Sequence, residues 1–193
     1  MATSPSAFVA PFVALPDTYS QLGILAENYP NFFAATISGA LTSGTIYVQR
    51  LALPGPITVT NILTGVATAG VTLTAAQNFA GLYDASGNQI GVTADQSGTW
   101  TSTGVKTMAL TGGPFAVNQP FVFAAYLANG TTPPLFARGA GAGIGSPIVN
   151  LGASGATMAT ASNGTLATAL PGSLVYASNS AAGSPQHIWT GLS

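Results

Sequence analysis

From about residue 44 onward, hydrophobic and polar positions alternate along the chain with a period of two. In Thr45–Leu53, one face carries Ile46 and Val48 and the other carries Tyr47 and Leu51. This period is typical of β-strands, because successive side chains of a strand point to opposite sides of its sheet. Similar short runs follow between Gly, Pro, Asn and Asp clusters, at a spacing that favours an antiparallel sandwich or barrel. The pattern therefore predicts an all-β fold.

Particular segments give more specific predictions. Phe79–Tyr83 and Gln89–Thr93 flank a turn-rich stretch, residues 84–88, and are predicted to form a hairpin. Phe121–Leu127 is the most continuously apolar run and is predicted to be a central strand buried on both faces. Ile188–Leu192 is predicted to be the last strand.

A second hairpin is predicted near the C-terminus. Thr157–Ala161 and Thr165–Thr168 flank Asn163 and Gly164. An Asn-Gly pair favours the positive backbone angles of a type I′ turn, which joins adjacent antiparallel strands.

The first forty residues have a different pattern, in which prolines interrupt an apolar segment. Proline inside a helix costs about 3 kcal/mol, so no long helix fits there and at most one short helix, about Asp17–Glu27, has room. Such a segment needs a surface to cover it. We therefore divide the chain into an extended N-terminal arm, residues 1–40, and a β-sandwich domain, residues 41–193. The predicted assembly contacts of the arm are its four phenylalanines, Phe8, Phe12, Phe32 and Phe33.

The composition excludes several classes of partner. The 193 residues are 47% hydrophobic and 4% charged, with three Lys and Arg residues in total and a net charge of −1. So few cations do not provide the phosphate contacts that nucleic-acid binding requires. No apolar run reaches the roughly 18 residues of a membrane span. Weak charge repulsion instead suits a protein held in a permanent assembly.

Catalytic chemistry has few candidate residues. General acid-base catalysis needs a positioned titratable group, and the sequence offers Asp17, Glu27, Asp84, Asp95 and the single histidine, His187. Asp84 and Asp95 are expected to cap local turns. With no cysteine and one histidine, thiolate chemistry and a histidine-based metal site are excluded within one chain. We predict a protein that is not an enzyme, with no catalytic residue, no metal site and no cofactor.

Trp100 leaves two interpretations open. Polar residues and glycine flank it, so its ring is a candidate stacking platform for a glycan. Large aromatic residues are more often part of the core. If Trp100 lies in a strand, it shares one face with Ser102 and leaves the opposite face to threonines. This alternation favours the core interpretation.

Five segments of the chain form a recognisable set: Thr60–Leu63, Ala75–Asp84, Thr99–Thr111, Leu127–Pro134 and Ile188–Leu192. Together they resemble the β-sandwich virion proteins of tailed phages that infect actinobacteria. The resemblance covers about Tyr47 to the C-terminus and leaves the arm outside it. It implies a jelly-roll-like domain on the particle, either as a capsid decoration protein or as a tail appendage or minor tail protein, and it implies no catalytic residue.

These observations lead to one primary functional expectation and one alternative. We expect a non-enzymatic structural protein, synthesised in the host cytoplasm and displayed on the virion surface, whose partners are the major capsid or tail proteins and sister subunits. A trimer is expected, since closed symmetric association would cover the neutral glycine-rich stretch Gly139–Gly145. The alternative is a tail protein that binds a host receptor or cell-wall glycan.

Overall fold

The computed structural model describes residues 22–34, 36–139, 150, 152–181 and 187–193, and for Phe32 only the backbone. About 46% of the described residues are in strands or β-bridges, and this part of the chain contains no helix of seven or more residues. The all-β prediction is confirmed. In chain order the strands are β1 (Ala26–Glu27), β2 (Thr36–Ile37), β3 (Ile46–Ala52), β4 (Ile57–Val59), β5 (Asn61–Thr68), β6 (Val71–Leu73), β7 (Phe79–Tyr83), β8 (Gln89–Val92), β9 (Gly104–Ala109), β10 (Phe115–Val117), β11 (Phe121–Leu127), β12 (Gly130–Thr132), β13 (Leu135–Arg138), β14 (Thr160–Asn163), β15 (Ser180–Ala181) and β16 (Thr190–Leu192).

Two six-stranded antiparallel sheets form the body of the protein. Sheet I has the order β15-β14-β3-β11-β7-β8. In sheet II, β9 pairs with one edge of β5, while β16 and β13 lie end to end along its other edge. β1 then pairs with β16, and β2 with β13. Two smaller ribbons, β4 with β10 and β6 with β12, complete the pairing.

The main core lies between the two sheets, in a sandwich-like arrangement. One apolar cluster combines side chains of sheet I, such as Leu51 and Val122, with side chains of sheet II, such as Ile62 and Phe136. Each of these four side chains has no exposed surface. The cluster forms because the inward-facing positions of both sheets alternate with a period of two.

Strand β11 is central in sheet I and is buried on both faces, as predicted. Val122 and Tyr126 belong to the cluster between the sheets, whereas Phe123 and Leu127 belong to a second cluster on the opposite face. That opposite face is covered by a later part of the chain, which contributes Met158, Leu170, Leu174 and Tyr176. A strand covered on both faces reads as a continuous apolar run.

The N-terminal segment differs from the prediction. Ala26 and Glu27 form strand β1 and not the end of a helix, and β2 is also part of sheet II. Residues 22–34 and 36–40 therefore belong to the folded body, so residue 40 does not mark a break in the sheet. Residues 1–21, with Phe8 and Phe12, lie outside the described residues.

The C-terminal hairpin prediction is wrong. Gly164 has a positive φ of 73°, but Asn163 is not among the residues with positive φ and ends strand β14, so the two do not form the predicted type I′ turn. Strand β14, however, pairs with β3 and β15 instead of with residues 165–168. The Asn163 side chain donates its amide to the carbonyl of Val175, 3.0 Å away, and to Oδ1 of Asn179, 2.7 Å away. Tertiary hydrogen bonds thus outweigh the local signal.

Candidate functional site

The outer face of sheet II carries the most distinctive surface of the described protein. Residues 22–34 cover part of this face, where Ile24, Leu63 and Trp189 form a small buried cluster. Beside the cluster lie two adjoining grooves of about 370 and 400 Å³, which share Asn31, Val105 and Trp189. We call these two grooves the outer groove.

Polar contacts hold the N-terminal segment against the last strand. Oε2 of Glu27 accepts a hydrogen bond from Nε1 of Trp189 at 2.9 Å. Asn28 adds two bonds, since its amide donates to the carbonyl of Ile188, two residues before β16, at 2.8 Å and its Oδ1 accepts from the N–H of Thr190, the first residue of β16, at 3.0 Å. Unpaired polar groups at such a buried contact would be costly, so these bonds fix the position of the segment.

Large apolar side chains remain exposed around the outer groove. Leu22 is 58% exposed and Val105 is 72% exposed, and both line the groove. Phe33, one of the four predicted assembly contacts, is 55% exposed on the short turn that follows Pro30. Grouped apolar exposure on a protein surface is typical of an interaction site.

Trp100 lies in the core rather than on the surface. Trp100 lies in a 3-10 turn, Thr99–Thr101, and not in a strand. Its burial therefore has a different cause from the strand alternation that the sequence suggested. Its side chain has no exposed surface, its ring packs edge-on against Phe136, and its Nε1 donates to Sδ of Met108 at 3.4 Å. A glycan has no face of this indole to stack on, which corrects the glycan-contact interpretation.

Asp84 caps its own turn, as predicted, whereas Asp95 bonds both a near neighbour and a residue 17 positions earlier. Oδ1 of Asp84 accepts the N–H groups of Ser86 and Asn88, both at 2.8 Å, and closes the β7–β8 hairpin. Partial burial raises the pKa of Asp84, but hydrogen bonds from Asn88 and Ser86 outweigh it and hold the pKa below its ordinary value. Asp95 accepts the N–H of Asn78 and the hydroxyl of Ser97.

His187 packs in a partly buried position next to an aromatic ring. Its ring centroid lies 4.8 Å from that of Tyr29, whose hydroxyl donates to the His187 backbone carbonyl at 3.1 Å. The Tyr29 hydroxyl therefore contacts the main chain and not the imidazole. Burial lowers the pKa of His187 from 6.5 to about 4 and raises that of Tyr29.

The pKa of His187 leads to a prediction about acid stability. Between about pH 6.5 and 4 the unfolded chain binds a proton at His187 that the folded protein does not, so stability should fall as the pH decreases through this window. The full effect is at most roughly 3 kcal/mol. Urea denaturation at several pH values should show that His187→Gln removes this slope. Asp84→Asn is the control, because titration of Asp84 changes stability only below about pH 4. An unchanged slope of stability against pH in His187→Gln would contradict the prediction.

Within the described residues, no three His, Cys, Asp or Glu side chains come close enough to hold a metal ion. No helix in this part of the chain is both long and apolar enough to cross a membrane. Sequence reasoning missed the outer groove, because Val105, Trp189 and Asn31 meet only through the pairing of sheet II.

Comparison with known proteins adds no relative. No protein-family model matches the chain, and neither a curated protein nor a solved structure gives a match.

Proposed function

We propose that this protein is a non-enzymatic structural component of a phage virion, displayed on the particle surface as a capsid decoration protein. The observation that carries the proposal is the apolar rim of the outer groove on a chain with a net charge of −1. A surface with so few charges associates through shape and apolar burial. A phage particle is proposed as the location because the segment from about Tyr47 to the C-terminus resembles virion proteins.

The proposed domain is jelly-roll-like, and two opposed antiparallel sheets support this architecture. The proposed partners are the major capsid or tail proteins of the same virion and sister subunits. The proposed oligomer is a trimer. The stretch Gly139–Gly145 that suggested it lies outside the described residues, apart from Gly139.

The second candidate is a tail appendage or minor tail protein that binds a host receptor or glycan. Its main aromatic candidate, Trp100, is fully buried, so the decoration role has the stronger support. Locating the chain in a reconstruction of the purified particle separates the two. Density on the head supports the decoration role, whereas density confined to the tail supports the second candidate.

The assembly contacts can be tested by incorporation into particles. Docking of a phenylalanine side chain stabilises a contact by about 1.5–3 kcal/mol, so losing two costs about 3–6 kcal/mol and should reduce incorporation at least about a hundredfold. We expect this loss for Phe8→Ser/Phe12→Ser, measured by quantitative mass spectrometry of purified virions. Phe33→Ser should reduce incorporation and change the melting temperature by only a few degrees, because more than half of the Phe33 surface is exposed. Thr18→Ala is the control, and normal incorporation of the double variant would refute the role of the arm.

A further inference from the structure

The free edge of β9 has a defined set of outward-facing main-chain groups. β9 pairs with β5 from Asn61↔Ala109 to Val66↔Gly104, and the N–H of Leu110 donates to the carbonyl of Thr60. In an antiparallel pair, alternate residues bond the partner strand. Even-numbered residues of β9 therefore bond β5, and the N–H and C=O groups of its odd-numbered residues point away from the sheet. Those residues are Val105, Thr107 and Ala109.

This edge is the longest uncovered one in the described part of the chain. No hydrogen bond from a described residue engages the outward groups of the three odd-numbered residues. The edge strands β1, β2 and β15 have two residues each. β8 is longer, but the N–H of Gln89 donates to Gly172 and the carbonyl of Val92 accepts from Thr111.

The features that usually protect an edge strand are weak in β9. Proteins block such edges with charges, prolines or covering loops. The one charged residue here, Lys106, bends back over its own turn, and its Nζ donates to Oγ of Ser102 at 2.8 Å and to the carbonyl of Thr103 at 3.2 Å. The side chains of Val105, Thr107 and Ala109 are exposed.

We propose that β9 pairs with β9 of a second copy of this chain, antiparallel and about a two-fold axis at Thr107. This register uses all three outward-facing residues of each copy and joins two sheets II into one continuous sheet. Val105 then lies opposite Ala109 of the partner subunit, and Thr107 lies opposite Thr107 of the partner subunit. Threonine pairs at such positions stabilise a sheet.

Charge and symmetry favour a second copy in this register. Lys106 lies opposite Met108 of the partner subunit, so the two lysines are offset, whereas a register centred on Lys106 would place like charges directly opposite each other. The chain's net charge of −1 adds little repulsion. Because the contact has two-fold symmetry, the assembly should contain an even number of copies. The contact would join either two single subunits or two trimers. It does not depend on the proposed virion role.

Single cysteines test the register, because the chain contains no cysteine of its own. Mild oxidation of full-length Thr107→Cys should give a covalent dimer. Val105→Cys alone and Ala109→Cys alone should not, since each would lie about 13 Å from its symmetry mate, beyond the roughly 7 Å limit for a disulfide. A mixture of these two variants should cross-link. Equal cross-linking of all three variants, or no cross-linking of Thr107→Cys, would overturn the proposal.

Thr107→Pro tests the association itself. The N–H of Thr107 points away from β5, so proline removes no bond of the native sheet but blocks strand addition. Sedimentation should show an even number of copies for the unmodified chain and for Thr107→Ser, and half that mass for Thr107→Pro at an unchanged melting temperature. A monomer in the unmodified chain, or an unchanged mass in Thr107→Pro, overturns the two-fold contact. The virion proposal is tested separately, on particles.

Discussion

Deletion of residues 1–40 is expected to unfold the protein, whereas deletion of residues 1–21 should leave it folded. The longer deletion removes β1 and β2 from sheet II, together with the buried side chains of Ile24 and Ala26. It also removes the hydrogen bonds of Glu27 and Asn28 to the last strand. These losses together are comparable with the 5–15 kcal/mol by which a typical domain is stable.

Circular dichroism and thermal melting of the two truncated proteins measure this difference. The 22–193 chain should keep a cooperative transition and the β-sheet spectrum of the full chain. Glu27→Gln in the full chain is a milder comparison, because it keeps an acceptor for Nε1 of Trp189. A cooperative, undiminished transition in the 41–193 chain would show that the boundary predicted at residue 40 is right and that β1 and β2 contribute little.

The second large effect is expected for Trp100→Ala. The indole fills the space between Phe136 and Met108 at the β9 side of the core, and no part of it is exposed. Removing it should leave a cavity and cost about 3–5 kcal/mol. The main-chain groups of Trp100 also bond Gly70 and Gln96, so the 94–103 loop should loosen as well.

Chemical denaturation measures the loss, with Thr99→Ala as the matched control. Thr99 lies in the same turn but is exposed, so its replacement should change stability by no more than about 0.5 kcal/mol. Trp100→Phe should recover part of the loss. A Trp100→Ala protein with unchanged stability that loses binding to host-wall glycans would favour the receptor-binding alternative instead.

The hydrophobic pattern alone was enough to predict two kinds of strand. These are strands that pair with a strand close in sequence, and strands that are buried on both faces. The β7–β8 hairpin follows from its flanking runs and from Asp84, because turn chemistry is local. β11 was identifiable as a central strand because burial on both faces leaves a continuous apolar run. The scarcity of charge likewise favours association, and it is a property of the composition alone.

Only the tertiary structure decided which distant segments pair. Ala26 and Glu27 form a strand because the last strand lies beside them, and residues 163–164 do not form a hairpin because Val175 and Asn179 bind Asn163. Trp100 is buried by a 3-10 turn that its polar neighbours did not reveal. The free edge of β9 also depends on strand order, since hydrogen bonds between residues far apart in sequence leave no periodic signal in the chain.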